Sequence, residues 1–232
     1  RTKSREMQQR LQLEKEVVEL EQKALRLQMN PHFIFNALNS IQSQIGNGNE
    51  QEARYYLAKF SRLMRQILDN SRNAYITLDE EIQTLENYLL IEQYCTGNRF
   101  DYSITFDESL EKDFIKLPPM LLQPFVENAI KHGFRFGEEH LGKRGQISIH
   151  FSDKGEFVEC TVTDNGIGRK EAERLNENSK ETYHQSTALR VTQERLDLQQ
   201  SEMGQSSLEI IDLEDKNGNA VGTKVLVRVL VV

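Results

Sequence analysis

The stretch "LPPMLLQPFVENAIKHG" (Leu117–Gly133) decides what kind of fold this chain has. Leu121, Leu122, Phe125, Val126, Ala129 and Ile130 recur at helical spacing and predict an amphipathic helix over Pro119–Lys131. Its polar residues lie off that stripe: Asn128 and His132 are one turn apart, as are Glu127 and Lys131. On both sides the period drops to two. Tyr102, Ile104 and Phe106 alternate before it; Ile147, Ile149 and Phe151, then Val158, Cys160 and Val162, and finally Val225, Val227 and Val229 alternate after it. These read as half-buried strands. Further helices are expected near Lys170–Asn176 and Thr187–Ser201. One mixed sheet covered by helices is the economical arrangement, an α+β fold.

The chain before Phe100 is helical in character. Leu13, Val17, Leu20, Ala24 and Leu27 step by four and three, a heptad seam flanked by Leu11, Val18 and Leu25. It reads as a coiled-coil connector, or as one helix packed on its own domain. Pro31 interrupts the run and His32 follows at once. Phe33, Ile34, Ala37, Leu38, Ile41 and Ile45 then resume the pattern until Gly46–Asn49 breaks it. Ala53, Tyr56, Leu57, Phe60, Leu63, Met64, Ile67 and Leu68 line one face of a second helix. Two such helices joined by a short loop form an antiparallel hairpin. That hairpin buries little alone, so pairing into a four-helix bundle is expected, hence a homodimer. "NSRNAYIT" reads as a linker, and Leu78–Tyr94 as a third helix.

Composition bounds the classes. The 232 residues are 38% hydrophobic and 28% charged, which suits a packed core with long exposed helices. A net charge of −7 argues against direct nucleic-acid binding. No run of 18 apolar residues exists to span a membrane. The chain opens at "RTKSR" without a methionine. Basic residues just before a helix suit the cytoplasmic side of a membrane span absent from this chain. An ordinary solvated terminus explains them as well. Cys95 and Cys160 match no metal or redox spacing and read as reduced, structural thiols.

Several residue types suggest chemistry. The amide oxygen of Asn128 is a hard neutral ligand suited to magnesium, which takes few protein ligands. Read alone, such an asparagine is more simply bonded to neighbouring backbone. In "VTDNGIG" (Val162–Gly168), strand parity puts Asp164 on the inward face with Val158, Cys160 and Val162. A carboxylate there is costly unless something donates to it, and an adenine amino group is a suitable donor. Gly166 and Gly168 allow a sharp turn and a close approach. Arg169–Gln185 is polar and long enough for a lid. Ser186 or Thr187 caps the helix that follows, whose free N–H groups suit phosphates. Gly222 and Thr223 either lie near the same pocket or form a plain hairpin turn.

Taken in order, "LQMNPHFIFNALNSIQ" (Leu27–Gln42), the Leu117–Gly133 stretch and "VTDNGIG" resemble the sensor histidine kinases of the LytS type. The resemblance runs from about Leu27 to the C-terminus. It implies a phosphoaccepting helical bundle followed by an ATP-binding domain with the Bergerat (GHKL) α/β sandwich. The implied domains are a connector over 1–29, a dimerisation hairpin over 30–76 and a catalytic domain over 77–232. By this match His32 is the phosphoacceptor, Asn128 the Mg2+ ligand of the N-box, and Asp164 the adenine contact. Gly166 and Gly168 belong to the first glycine box. Lys131, His132, Ser186, Thr187 and Thr223 would complete the ATP site, with Glu127 as a base or polar helper. The family is usually a membrane-anchored homodimer whose cytoplasmic portion phosphorylates a response regulator, often one with a LytTR domain. This chain departs from wider patterns at three places. Pro124 stands where relatives carry an acid or amide, Phe33 follows the histidine where an acid is common, and the second glycine box reads Ser186, Thr187, Ala188. A nucleotide-binding scaffold without kinase activity and a GHKL ATPase are the rival expectations.

Overall fold

The computed structural model describes residues 31–134, 143–169, 171–172 and 207–230. The chain divides into two compact units, Arg1–Ala74 and Tyr75–Val232. The heptad connector, Ser186, Thr187 and the helix expected over 187–201 lie outside the described residues, as does most of the stretch from 169 to 185.

In the first unit, α1 (Pro31–Gly46) and α2 (Glu50–Ser71) form the expected hairpin. Gly48 takes a φ of +80° in the connecting loop, a left-handed conformation suited to glycine. Phe33, Ala37 and Ile41 are buried, as are Ala53, Phe60, Leu63 and Ile67. The Phe33 and Phe60 rings meet at 6.3 Å between centroids. Ile34, Tyr56 and Met64 of the two stripes are half-buried, while Leu38, Ile45, Leu57 and Leu68, with Phe35 beside them, are between 42% and 64% exposed.

The second unit begins with β1 (Ile76–Thr77), which leads directly into α3 (Leu78–Cys95). A capping box starts that helix: Thr77 Oγ1 accepts from the Glu80 N–H at 3.2 Å, and Glu80 Oε2 accepts from the Thr77 N–H at 2.8 Å. β1 pairs antiparallel with β3 (Lys116–Leu117). The main sheet contains β2 (Phe100–Phe106), β4 (Gly145–Asp153), β5 (Phe157–Asp164), β6 (Ser207–Glu214) and β7 (Ala220–Leu230). Its order is β2-β4-β5-β7-β6. β2 runs parallel to β4 and the other neighbours are antiparallel, so the sheet is mixed.

One face of that sheet is the core. Ile147, Ile149, Phe151, Val158, Cys160, Val162, Val225, Val227 and Val229 are buried on it, as the period-two pattern requires. Burial raises the Cys160 thiol well above its ordinary pKa, and the charge of Glu81 from α3 adds to that. Both cysteines are free, and Cys160 is protonated and inert.

One helix differs from expectation. The Pro119–Lys131 helix is instead α4 (Gln123–Asn128), followed by a π-helical segment over Ala129–Gly133. Pro118 and Pro119 have no N–H to give a helix, and Met120 takes a left-handed φ of +58°. Helical backbone therefore starts only where Pro124 can occupy the first turn. β6 was not itself read from the sequence. Its residues alternate weakly, and the turn before β7 is Asp215–Asn219, so Gly222 and Thr223 lie inside a strand and not in that turn.

Candidate functional site

Asn128 closes α4 and the π-helical segment begins at the next residue, where the helical hydrogen-bond pattern widens. Such segments occur mostly as single turns and gather at functional sites. The Asn128 side chain is half-buried and makes no capping bond. Glu127 points into a different set of contacts. It accepts from Gln123 Nε2 at 3.0 Å and pairs with Lys131 Nζ at 3.4 Å. Tyr88 and Glu92 of α3 complete this polar knot, with Tyr88 Oη donating to Glu92 at 2.9 Å. Burial raises the Glu92 carboxyl, opposed by the Tyr88 bond and the Lys131 charge and reinforced by the Glu127 charge. Burial likewise raises the Tyr88 hydroxyl, with Glu127 and Glu92 adding to it. Lys131 is thus engaged with Glu127, and His132 belongs to the backbone of the π-helical segment.

Asp164 ends β5 on the inward face, as parity predicts, and is only 9% exposed. Burial pushes its pKa up to about 6, while the backbone N–H groups of Gly166 and Thr223 hydrogen-bond it and pull the other way. The Gly166 N–H reaches Asp164 Oδ1 at 2.8 Å. Thr223 sits directly opposite Asp164 in the β5–β7 register. That register depends on Gly222, where a Cβ would lie 2.0 Å from the Asp164 carbonyl oxygen. Asn165 turns outward and accepts from the Gln146 N–H at 2.7 Å, tying the loop to β4.

Backbone contact joins the two motifs. A Cβ on Gly166 would fall 2.5 Å from the Gly133 Cα, so only glycine fits there. The Ile167 N–H donates to the Gly133 carbonyl at 3.3 Å. The last residue of the π-helical segment therefore touches the loop that carries Asp164. Gly168, with a φ of +76°, packs against Ala220 of β7. Arg169 then pairs with Asp212 of β6 through two bonds, at 2.7 and 2.9 Å.

The structure thus brings Asp164, Gly166, Gly168 and Thr223 together and sets the end of the Asn128-bearing segment against them. Glu127 and Lys131 belong to the neighbouring knot with α3. His32 is in the other unit, in the first turn of the described part of α1. Sequence reasoning passed over Gly133 and Glu81. Glu81 carried a legible signal: it is a charge on the apolar stripe Leu78, Ile82, Leu85 and Leu89.

Comparison with known proteins agrees with the motifs. Residues 20–100 match the family model described as histidine kinase. The chain is 37% identical over 146 residues to the Sensor protein LytS of Staphylococcus epidermidis, covering 63% of this chain and 24% of that protein. It is 37% identical over 163 residues to the Sensor protein LytS of Staphylococcus haemolyticus, covering 70% of this chain and 26% of that protein. The chain therefore spans about a quarter of the length of the curated relatives it matches. Among solved structures it is similar to the catalytic domain of histidine kinase ThkA, at 18% identity and a TM-score of 0.44, covering 67% of this chain and 94% of that one.

Proposed function

We propose, from the resemblance of this chain to the LytS-type sensor histidine kinases, that it is the cytoplasmic portion of an ATP-dependent protein-histidine kinase. The observation that carries this reading is the backbone contact between Gly133 and Gly166, which sets the end of the Asn128-bearing segment beside the Asp164 loop. The residues fit an adenine nucleotide. Asp164 is a nearly buried carboxylate that hydrogen-bonds backbone N–H groups, and an adenine amino group is a further donor of the same kind. Asn128 offers an amide oxygen at the helix-to-π junction, while Glu127 already accepts from Gln123 and Lys131. Asn128 would hold Mg2+, whose role when bound is to neutralise phosphate charge. Gly166, Gly168 and Thr223 shape the adenine end. Ser186 and Thr187 would serve the phosphates, and Lys131 and His132 would flank them.

His32 is the phosphoacceptor in this reading. A neutral imidazole is already a nucleophile. The lone-pair ring nitrogen forms a bond to the γ-phosphorus, the bond from that phosphorus to the β-phosphate oxygen breaks with its electrons left on ADP, and the N–H proton of the other ring nitrogen passes to water. The phosphoryl group then passes to an aspartate of a response regulator, in the LytTR class by resemblance. The connector over 1–29, the hairpin over 30–76 and the catalytic domain over 77–232 divide these tasks. Among the described residues no helix is long and apolar enough to cross a membrane. Attachment to a membrane would come through a segment outside this chain. The test is incubation with γ-labelled ATP: an acid-labile, alkali-stable phosphate on one histidine supports the kinase. Sustained phosphate release with no labelled protein favours an ATPase, and nucleotide binding with neither favours a scaffold.

The outward stripe of Phe35, Leu38 and Ile45 on α1, with Leu57 and Leu68 on α2, supports a homodimer through the hairpin. Sedimentation should give a dimer at about tens of micromolar, which requires an association free energy of at least about 6–7 kcal/mol. The double substitution Leu38→Glu and Leu57→Glu should shift it to monomer. A parent protein that sediments as a compact monomer would sink this expectation.

The Asp164 carboxyl also sets a pH dependence. Adenine needs the ionised form, and half of it is lost at about pH 6. Affinity for ADP should be flat above about pH 7 and weaken about tenfold per unit below pH 6. Calorimetry across pH 5–8 checks this, and a flat profile through pH 5 would remove Asp164 from the adenine contact.

A further inference from the structure

We propose that Glu81 is the positioning residue that sets Asn128, acting through the backbone of the loop before α4. Glu81 lies in the first turns of α3 with 0% exposure. A carboxylate so placed is costly unless it is hydrogen-bonded, and a leucine would continue the apolar stripe without that cost. Its Oε2 accepts from the Met120 N–H at 2.9 Å, and its Oε1 from the Leu122 N–H at 3.3 Å.

Backbone accounting explains why this matters. Between Pro118 and Leu122 both prolines lack an N–H, which leaves Met120, Leu121 and Leu122 as donors. Glu81 holds two of those three. Met120 has the left-handed φ of +58° that a residue with a side chain adopts only when its surroundings impose it. Leu122, held at its N–H by Glu81, uses its carbonyl to accept from the Phe125 and Val126 N–H groups at 3.1 and 3.2 Å. Those bonds start α4. At six residues this helix is too short to fix its own direction.

Two pins therefore hold the segment that bears Asn128. Gly133 fixes its far end against Gly166 and Ile167, beside Asp164. Glu81 fixes its near end. α3 itself is anchored by its capping box and by the Leu78 N–H donating to the Ile115 carbonyl at 2.8 Å. Loss of Glu81 removes the near pin and leaves the adenine end in place. The Asn128 amide then loses its aim toward the metal and phosphates while Asp164 keeps its aim toward adenine.

This rests on the nucleotide site proposed above, and the test separates the two. Binding of the β,γ-imido analogue of ATP is measured by calorimetry with and without Mg2+, on the whole chain. Parent, Glu81→Gln, Asn128→Ala and the double variant are compared. In Glu81→Gln the tightening that Mg2+ confers should shrink by about tenfold or more, the size seen when partners behind a metal ligand are removed. Mg2+-free affinity should stay within about twofold, and the double variant should be no worse than Asn128→Ala alone. A full Mg2+ effect in Glu81→Gln, or equal losses with and without the metal, overturns the assignment of Glu81 alone. A parent that binds no nucleotide overturns the site reading and this proposal with it. Should Glu81→Gln fail to fold, amide hydrogen exchange on the parent decides. The Met120 and Leu122 amides should exchange as slowly as those of α3, and open-loop rates at both would overturn the clamp.

Discussion

The His32→Gln protein should form no stable phosphohistidine with γ-labelled ATP, yet bind adenine nucleotide within about twofold of the parent. Glutamine keeps a polar side chain but has no nucleophilic ring nitrogen. The competing histidine in a motif is His132, which belongs to the π-helical segment whose last residue packs on the Asp164 loop. A nucleophile must approach the γ-phosphorus in line, at about 3–3.5 Å. A residue built into the segment that packs on the Asp164 loop is held by that packing, whereas His32 belongs to the other compact unit. His132→Gln is therefore expected to slow labelling without moving the label. Peptide mapping after alkaline digestion reads both outcomes. A label on His132, or full labelling of His32→Gln, would overturn the mechanism.

Asp164→Asn should lose about 100-fold in ADP affinity at pH 7.5, the scale of removing one charge-assisted hydrogen bond in a buried site. The Gly166 N–H holds the amide oxygen where Oδ1 was, so the new NH2 group would face the adenine donor. The same substitution should raise the melting temperature of the nucleotide-free protein. In the folded state Asp164 keeps its proton up to about pH 6, against an ordinary value of 3.8. The stability it contributes is thus fully present below 3.8 and lost as the pH rises through 6. Asparagine imitates the protonated form at every pH. Its advantage should grow as the pH rises from 3.8 and be complete above about pH 6, with a ceiling on the order of 3 kcal/mol. A drop in binding together with a drop in stability at pH 7.5 would mean that Asp164 is structural and not an adenine acceptor.

Local sequence patterns marked the hairpin helices, α3 and most strands of the main sheet, but not β1, β3 or β6. Period two at Val158, Cys160 and Val162 placed Asp164 on the buried face, because alternate side chains of a strand share a face whatever surrounds them. Period 3.6 found α1, α2 and α3, and glycine between the first two marked their loop. These are local regularities, and local backbone geometry produces them. The α4 region was misjudged at its start because a run of leucines looks helical until Pro118, Pro119 and the reversed backbone at Met120 are seen together. Which distant groups meet depends on long-range packing. Gly133 on Gly166, Gly222 under Asp164, and Glu81 on the Met120 and Leu122 N–H groups join positions tens of residues apart. No period records such a contact. Each exists because buried N–H groups and close-packed backbones must be satisfied by whatever the fold brings beside them.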